Sequence, residues 1–172
     1  WKERFQILYD KIWPKVSEFA MGIEHVGSTS IEGLADKPII DLVIIVESEG
    51  NVPQIISSLA ELGYVHRGNL GIENREAFHA ESPKFKHNLY VCISGSIALK
   101  NHIYLRNHLR KNSKDRDDYS KLKLELARKY PNDIDSYVDG KTDFILKILN
   151  NYHFSNNALT DIENANKKQE KV

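Results

Sequence analysis

The residues best suited to chemistry stand close together in the first quarter of the chain. Glu24-His25-Val26-Gly27-Ser28-Thr29-Ser30 places a glycine and three consecutive hydroxyl side chains at a turn. Gly27 lets a ligand approach the backbone closely, and Ser28, Thr29 and Ser30 add hydroxyl donors to the local amides. Such a turn, leading into a helix, can cradle a phosphate. Thirteen residues beyond Ser28, Asp41 interrupts the apolar run Ile39-Ile40-Asp41-Leu42-Val43-Ile44-Ile45-Val46. An ionised carboxylate in such a run is costly unless it meets a cation, a metal ion or a network of donors. Cradle and carboxylate together suit phosphoryl chemistry, because a divalent ion such as Mg2+ bridges carboxylate and phosphate. The competing reading is structural: Ser and Thr cap helices, and an Asp at a strand end bonds backbone groups. The turn is not a Walker loop, since GxxxxGK[ST] is absent.

Further candidates surround this pair. His25 adjoins the turn and can donate to a phosphate. Lys37 stands just outside the strand that carries Asp41 and is a phosphate partner by position, or else a solvated loop lysine. Arg75 can grip phosphate or carboxylate with two hydrogen bonds. His87 opens a second apolar strand, and beside the Asp41 strand its ring is expected to turn into the same cleft. Asn88 and Tyr90 alternate away from His87 and so face the other side. The resulting expectation is a catalytic group of Asp41, His87 and His25. Gly27, Ser28, Thr29, Ser30, Lys37 and Arg75 would bind ligand, with Asp41 as the metal ligand. Cys92 has no CxxC partner, which argues against redox catalysis.

These residues need elements to hold them. Phe5, Leu8, Ile12, Val16 and Phe19 share one helical face, in a helix that Pro14 kinks or divides. Ile23–Val26 is a short extended segment, and 39–46 is the clearest strand, with β-branched character suggesting burial on both faces. Ile55, Ile56, Leu59 and Leu62 predict a helix over 53–62, capped by Gly63, with a strand starting at Tyr64-Val65. Residues 66–86 read as strands or loops, and 88–93 as a second strong strand. Three helices follow. The first carries Ala98, His102, Leu105 and Leu109. The second starts at an N-cap Ser113, carries Tyr119, Leu122, Leu126 and Tyr130, and stops at Pro131. The third runs from about Ile134 with Tyr137, Phe144, Ile148 and Tyr152 inward. The fold class that follows is α/β (α+β), a small mixed sheet of three to five strands with flanking helices and a helical C-terminal half. Residues 1–155 would form a single domain, and 156–172 a polar tail, helical or frayed.

Composition narrows the function classes. The chain has 172 residues, 24 Lys and Arg against 24 Asp and Glu, and one cysteine, too few for an internal disulfide. Zero net charge argues against a nucleic-acid partner, which usually leaves a basic footprint. No apolar run approaches the ~20 residues that cross a bilayer, so a cytoplasmic protein with no membrane partner is expected. A homo-oligomer is left open. Residues 1–86 carry 9 basic and 13 acidic side chains, and 87–172 carry 15 and 11. Opposed fields of this kind can focus a small anionic ligand, or they can be two solvated faces.

The block from Glu24 to Leu42 resembles the signature of the GrpB family, regarded as predicted nucleotidyltransferases and also found joined to dephospho-coenzyme A kinase. Arg75 and Phe78, His87-Asn88-Leu89-Tyr90-Val91, Leu105-Arg106-Asn107-His108-Leu109, Tyr119, Lys123, Leu126, Tyr137, Lys141 and Phe144 extend the resemblance over nearly the whole chain. The resemblance implies a nucleotidyltransferase-like fold and an enzyme acting on a nucleotide triphosphate or another phosphorylated small molecule, with Mg2+. In the wider nucleotidyltransferase pattern, Gly-Ser on a turn precedes two alternating carboxylates on a strand and a third on a neighbour. Gly27-Ser28 and Asp41 match by position, but residue 43 is valine and 88–93 contains no acid. Two-metal transfer holds cations ~4 Å apart with several negative ligands, which one aspartate cannot do. Either His87, Glu24 or substrate phosphates complete a reduced site, or the protein binds a nucleotide-like ligand without transferring it. A protein- or RNA-interaction module using the basic helical half is the third reading.

Overall fold

The apolar spacing of the first segment is realised as α1 (Lys2–Val16), which buries Leu8, Ile12 and Val16. Pro14 lies inside α1 without dividing it; so near the helix end, the N–H it lacks removes a single bond of the last turn. The computed structural model describes residues 1–35, 37–80 and 83–168. Its backbone divides into two compact units, Trp1–Ser30 with Asp36–Lys100, and Ile31–Ala35 with Asn101–Val172.

The first unit is built on strands β1 (Gly22–Val26), β2 (Ile40–Val46), β3 (Tyr64–His66), β4 (Arg75–Ala80) and β5 (His87–Ile93), with helix α2 (Val52–Glu61). The five strands form one mixed sheet in the order β1-β2-β5-β4-β3. Only the central β2–β5 pair is parallel; the other pairs are antiparallel. Period-two alternation decides the faces. Ile40, Leu42, Ile44 and Val46 of β2 are fully buried and pack with Leu89, Val91, Ile23 and the apolar stripes of α1 and α2. On the other face Val43 is buried, but Asp41 and Ile45 are only half-buried. Burial on both faces, expected from the β-branched run, is therefore complete on one face alone. Between β3 and β4, Leu70 and Asn74 adopt φ of 49° and 58°, which explains the weak periodicity there.

The second unit contains α4 (Ser113–Lys129), α5 (Ile134–Asn150), α6 (Asn156–Lys168) and most of α3 (Ile97–Lys111). Its core joins Ile31 and Leu34 to Leu109, Tyr119 and Ile148. The cap of α4 is Asn112, one residue earlier than the expected Ser113. Asn112 is extended and its side-chain oxygen accepts the Asp115 N–H at 3.3 Å, satisfying one of the helix's orphan donors. Asp133 caps α5 in the same way, accepting from Ser136 N. α4 ends at Lys129, ahead of Pro131, as the sequence predicts. Lys123, 6% exposed, donates from Nζ to Ala35 O, and Ala35 N donates to Ser120 Oγ at 3.0 Å. These bonds anchor the segment 31–35 to α4. The polar tail forms α6, where Asn166 Nδ2 donates to Thr142 Oγ1 of α5; residues 169–172 lie outside the described residues. Among those described, no helix is long and apolar enough to cross a membrane.

Candidate ligand site on the Asp41 face of the sheet

Strand register assembles the site. In β1 and β2, Val26 is opposite Asp41 and Glu24 opposite Val43. In β2 and β5, Asp41 is beside Asn88 and Val43 beside Tyr90. In β4 and β5, Ala77 is opposite Tyr90 and Arg75 opposite Cys92. Paired residues share a face and neighbours alternate. Glu24, Asp41, Asn88, Tyr90 and Arg75 therefore occupy one face, whereas His25 and His87 occupy the other.

Asp41 is held on both sides. Gly27 has φ +67°, and a Cβ built there would lie 2.1 Å from Asp41 Oδ2. Only a residue without a side chain allows the carboxylate to rest against this turn. On the other side Asn88 Nδ2 donates to Asp41 Oδ1 at 2.8 Å. The segment Ser28–Ser30 is a single 3-10 turn rather than the start of a helix, so no helix dipole supports it. Ser30 bends back, donating from N and from Oγ to Gly27 O at 3.2 and 2.6 Å. Thr29 is buried and its Oγ1 lies 2.9 Å from His25 Nε2. The Thr29 and Ser30 hydroxyls are thus engaged by β1 and by the turn itself, where the sequence leads one to expect ligand donors. Ser28 is half-buried.

His25, itself buried, supports this turn from behind. Its ring stacks on Phe5 of α1 with centroids 4.9 Å apart. Lys37 is exposed in the loop that precedes β2. His87 does not turn toward Asp41, because the parallel register sets Asn88 there instead. Its Nδ1 lies 2.6 Å from Phe85 O and its Nε2 lies 2.8 Å from Tyr64 Oη. A carbonyl only accepts, so Nδ1 carries the proton and Nε2 accepts from the Tyr64 hydroxyl. Burial draws the His87 pKa below its usual value; the Phe85 carbonyl opposes this, and the positive charge of Lys11 adds to it.

Arg75 lies on β4 and is 4% exposed. Its guanidinium sits over the Tyr90 ring at 4.8 Å, and one terminal nitrogen is 3.5 Å from Asn69 O. Its Nε is buried without a hydrogen-bond partner among the described residues. Burial pushes the Tyr90 hydroxyl up to about 12; the Asp41 charge adds to the rise and Arg75 opposes it. The face therefore runs from carboxylates at Glu24 and Asp41, through Tyr90, to a buried cation at Arg75. Asn88 and Tyr90, expected from alternation to face away from the site, hold the place expected of His87. Their alternation was readable, but the register that selects residue 88 over 87 comes from a pairing 47 residues apart in the chain.

The donor set decides what metal chemistry fits. Among the described residues, no three His, Cys, Asp or Glu side chains are grouped to hold a metal ion. Val43, where the resemblance expects a second carboxylate, is fully buried, and the β5 residues beside Asp41 and Val43 are the neutral Asn88 and Tyr90. A two-metal centre does not fit. Asp41 and Glu24 share this face, and one Mg2+ is typically held by one or two carboxylates with ligand phosphate and water.

Residues 1–151 match the model of the family described as GrpB protein. The chain belongs to the GrpB family. It is 33% identical to the UPF0157 protein YqkA of Bacillus subtilis (strain 168) over 144 residues, which is 84% of this chain but only 40% of that protein. The chain thus spans less than half the length of this curated relative. The crystal structure of conserved protein GrpB from Enterococcus faecalis superposes with a TM-score of 0.76 at 30% identity, covering 99% of this chain and 95% of that one. The Cid1 poly(U) polymerase, in its MgGTP-bound structure, shares the fold at a TM-score of 0.52 and 14% identity, over 73% of this chain and 42% of that one. The likeness of this GrpB chain to that polymerase is one of fold alone.

Proposed function

We propose that this GrpB-family chain binds a nucleotide, or another phosphorylated small molecule, as its Mg2+ complex on the Asp41 face of the sheet. The contact of Asp41 with Gly27 carries the reading, because it fixes a carboxylate directly against a turn that a phosphate can approach. Phosphate would lie against Gly27 and Ser28, where an ion bound by Asp41 and Glu24 would neutralise it. Arg75 contributes fixed positive charge on the same face. The MgGTP in the Cid1 poly(U) polymerase, which shares the fold, supports a nucleotide as the ligand class. With Val43 where a second carboxylate is expected and no acid in β5, the set favours holding such a ligand over two-metal transfer.

Nucleotidyl transfer is the second reading, favoured by the register that places Glu24 opposite Val43, beside the missing carboxylate. One experiment separates the two. Calorimetric titration with ATP, GTP, CTP and UTP, in Mg2+ and in EDTA, is paired with a pyrophosphate-release assay on wild type and Asp41→Asn. Binding that weakens about tenfold or more in EDTA and in Asp41→Asn, without pyrophosphate release, is the expected result. Release that Asp41→Asn abolishes would establish transfer instead. Absence of binding, or binding indifferent to both EDTA and the substitution, would refute the site.

A further inference from the structure

The opposite face of the same sheet ends in a cavity that the Asp41 site does not use. It has a volume of about 240 Å3 and lies between α1, the turn after α2, and the first residues of β3 and β5. Its polar lining is Lys11, Lys84, Tyr64 and His87; Ile7 and Leu62 contribute to an apolar remainder, and no acidic residue among those described lines it.

The chemistry of the lining is one-sided. His87 is fixed as the neutral tautomer, with its proton on Nδ1 toward Phe85 O and its Nε2 accepting from Tyr64. Both ring nitrogens and the tyrosine proton are committed to these bonds, so the pair forms a rigid, uncharged wall rather than an acid–base couple. Charge comes from the two ammonium groups. Lys11 Nζ lies 5.9 Å from the Tyr64 ring centre and 3.5 Å from Leu62 O. Lys84 Nζ lies 5.4 Å from the Phe85 ring centre. The ring contacts keep both stems beside the cavity, and neither ammonium forms an ion pair with a described carboxylate. Two cations above an apolar floor, with no counter-charge among the described lining residues, match an anionic head on an apolar body.

We propose that this cavity is a second binding site, for a small organic anion with a carboxylate or phosphate head and an apolar body. It is independent of the nucleotide reading, since no lining residue belongs to the Asp41 face. The test uses 19F NMR titration of the full chain with 4-fluorobenzoate, 4-fluorophenyl phosphate and the neutral 4-fluorobenzyl alcohol. At least one anionic probe should bind saturably, and the alcohol about tenfold more weakly. Which anion binds identifies the head group. Lys11→Met and Lys84→Met should each weaken binding about threefold, and together about tenfold. Ile7→Trp, a change at a partly exposed position, should fill the cavity and exclude the probes with both lysines in place. Asp41→Asn should leave binding unchanged. The proposal is overturned if neither anion binds, if the alcohol binds equally well, if both lysine variants bind as wild type does, or if Asp41→Asn removes the signal.

Discussion

Replacing Gly27 by alanine probes the join on which the Asp41 site depends. At φ +67° an alanine would sit in the left-handed region, at a cost of about 1–2 kcal/mol. Its methyl group would start 2.1 Å from Asp41 Oδ2 and 2.8 Å from Cγ, so the carboxylate must rotate away. The 2.8 Å bond from Asn88 to Asp41 Oδ1 is then lost. A hydrogen bond to a charged group contributes about 1.5–3 kcal/mol when shielded, but Asp41 is half-buried and Asn88 exposed, so about 1 kcal/mol is appropriate. Gly27→Ala should therefore destabilise the protein by about 2–3 kcal/mol in urea unfolding followed by circular dichroism. In an Asp41→Ala background there is no carboxylate to displace, and only the conformational cost of about 1–2 kcal/mol should remain. The coupling between the two sites is thus about 1 kcal/mol, above the ~0.3–0.5 kcal/mol within which independent substitutions add. Equal losses in the two backgrounds would refute the argument that Gly27 exists to seat Asp41.

Three further outcomes follow from groups outside the proposed nucleotide site. His87 has a folded pKa below its ordinary value of 6.5, so below about pH 6.5 the unfolded chain takes up a proton that the fold resists, and stability falls with acid. The urea midpoint of wild type should drop more between pH 7.5 and 5 than that of His87→Gln, and equal drops would exclude His87 as the cause. Cys92 is fully buried and its thiol is pushed from 9.0 up to about 12, so iodoacetamide at pH 8 should alkylate it on the order of 1,000-fold more slowly in the native than in the urea-unfolded chain. Comparable rates would show that the β5 core opens to solvent. Lys123→Met removes a charged bond to Ala35 O and should cost about 1–3 kcal/mol, more than Ser120→Ala, which removes a neutral one. An unchanged unfolding midpoint in Lys123→Met would show that burying the ammonium costs as much as its bond returns.

Particular residues show how far the sequence reached. The β-branched run of β2 and the three-and-four spacing of α1 and α2 were legible because each repeats one local rule over several turns or pleats. Pro131 ended α4 for an equally local reason. Asn112, not Ser113, capped that helix because the cap depends on which residue is extended, and adjacent polar residues offer the same side-chain chemistry. The site was legible as residue types, Gly27, Ser28 and Asp41, and its face was not. Placing His87 beside Asp41 required the offset between β2 and β5, and a slip of one residue exchanges the two faces of a strand. Arg75 was named as an anion partner, but its burial against Tyr90 depends on β4 lying beyond β5, an order that no local pattern encodes. Thr29 and Ser30 looked like ligand donors for the same reason: their bonds to His25 and Gly27 arise from the shape of the turn, not from its composition.

The five residues Ile31–Ala35 belong to the helical unit although sheet residues precede and follow them. Lost modularity is the consequence. A helical segment cut anywhere after residue 100 would leave behind Ile31 and Leu34, which share a core with Leu109, Tyr119 and Ile148, and Ala35, which holds Ser120 and Lys123. The signature block therefore has two duties within a few positions, since Gly27 seats the sheet carboxylate and Ala35 clasps α4. Exchange of the helical half between relatives by a single crossover would separate these duties. The block and the distant helices it fastens must be inherited, or redesigned, as one piece.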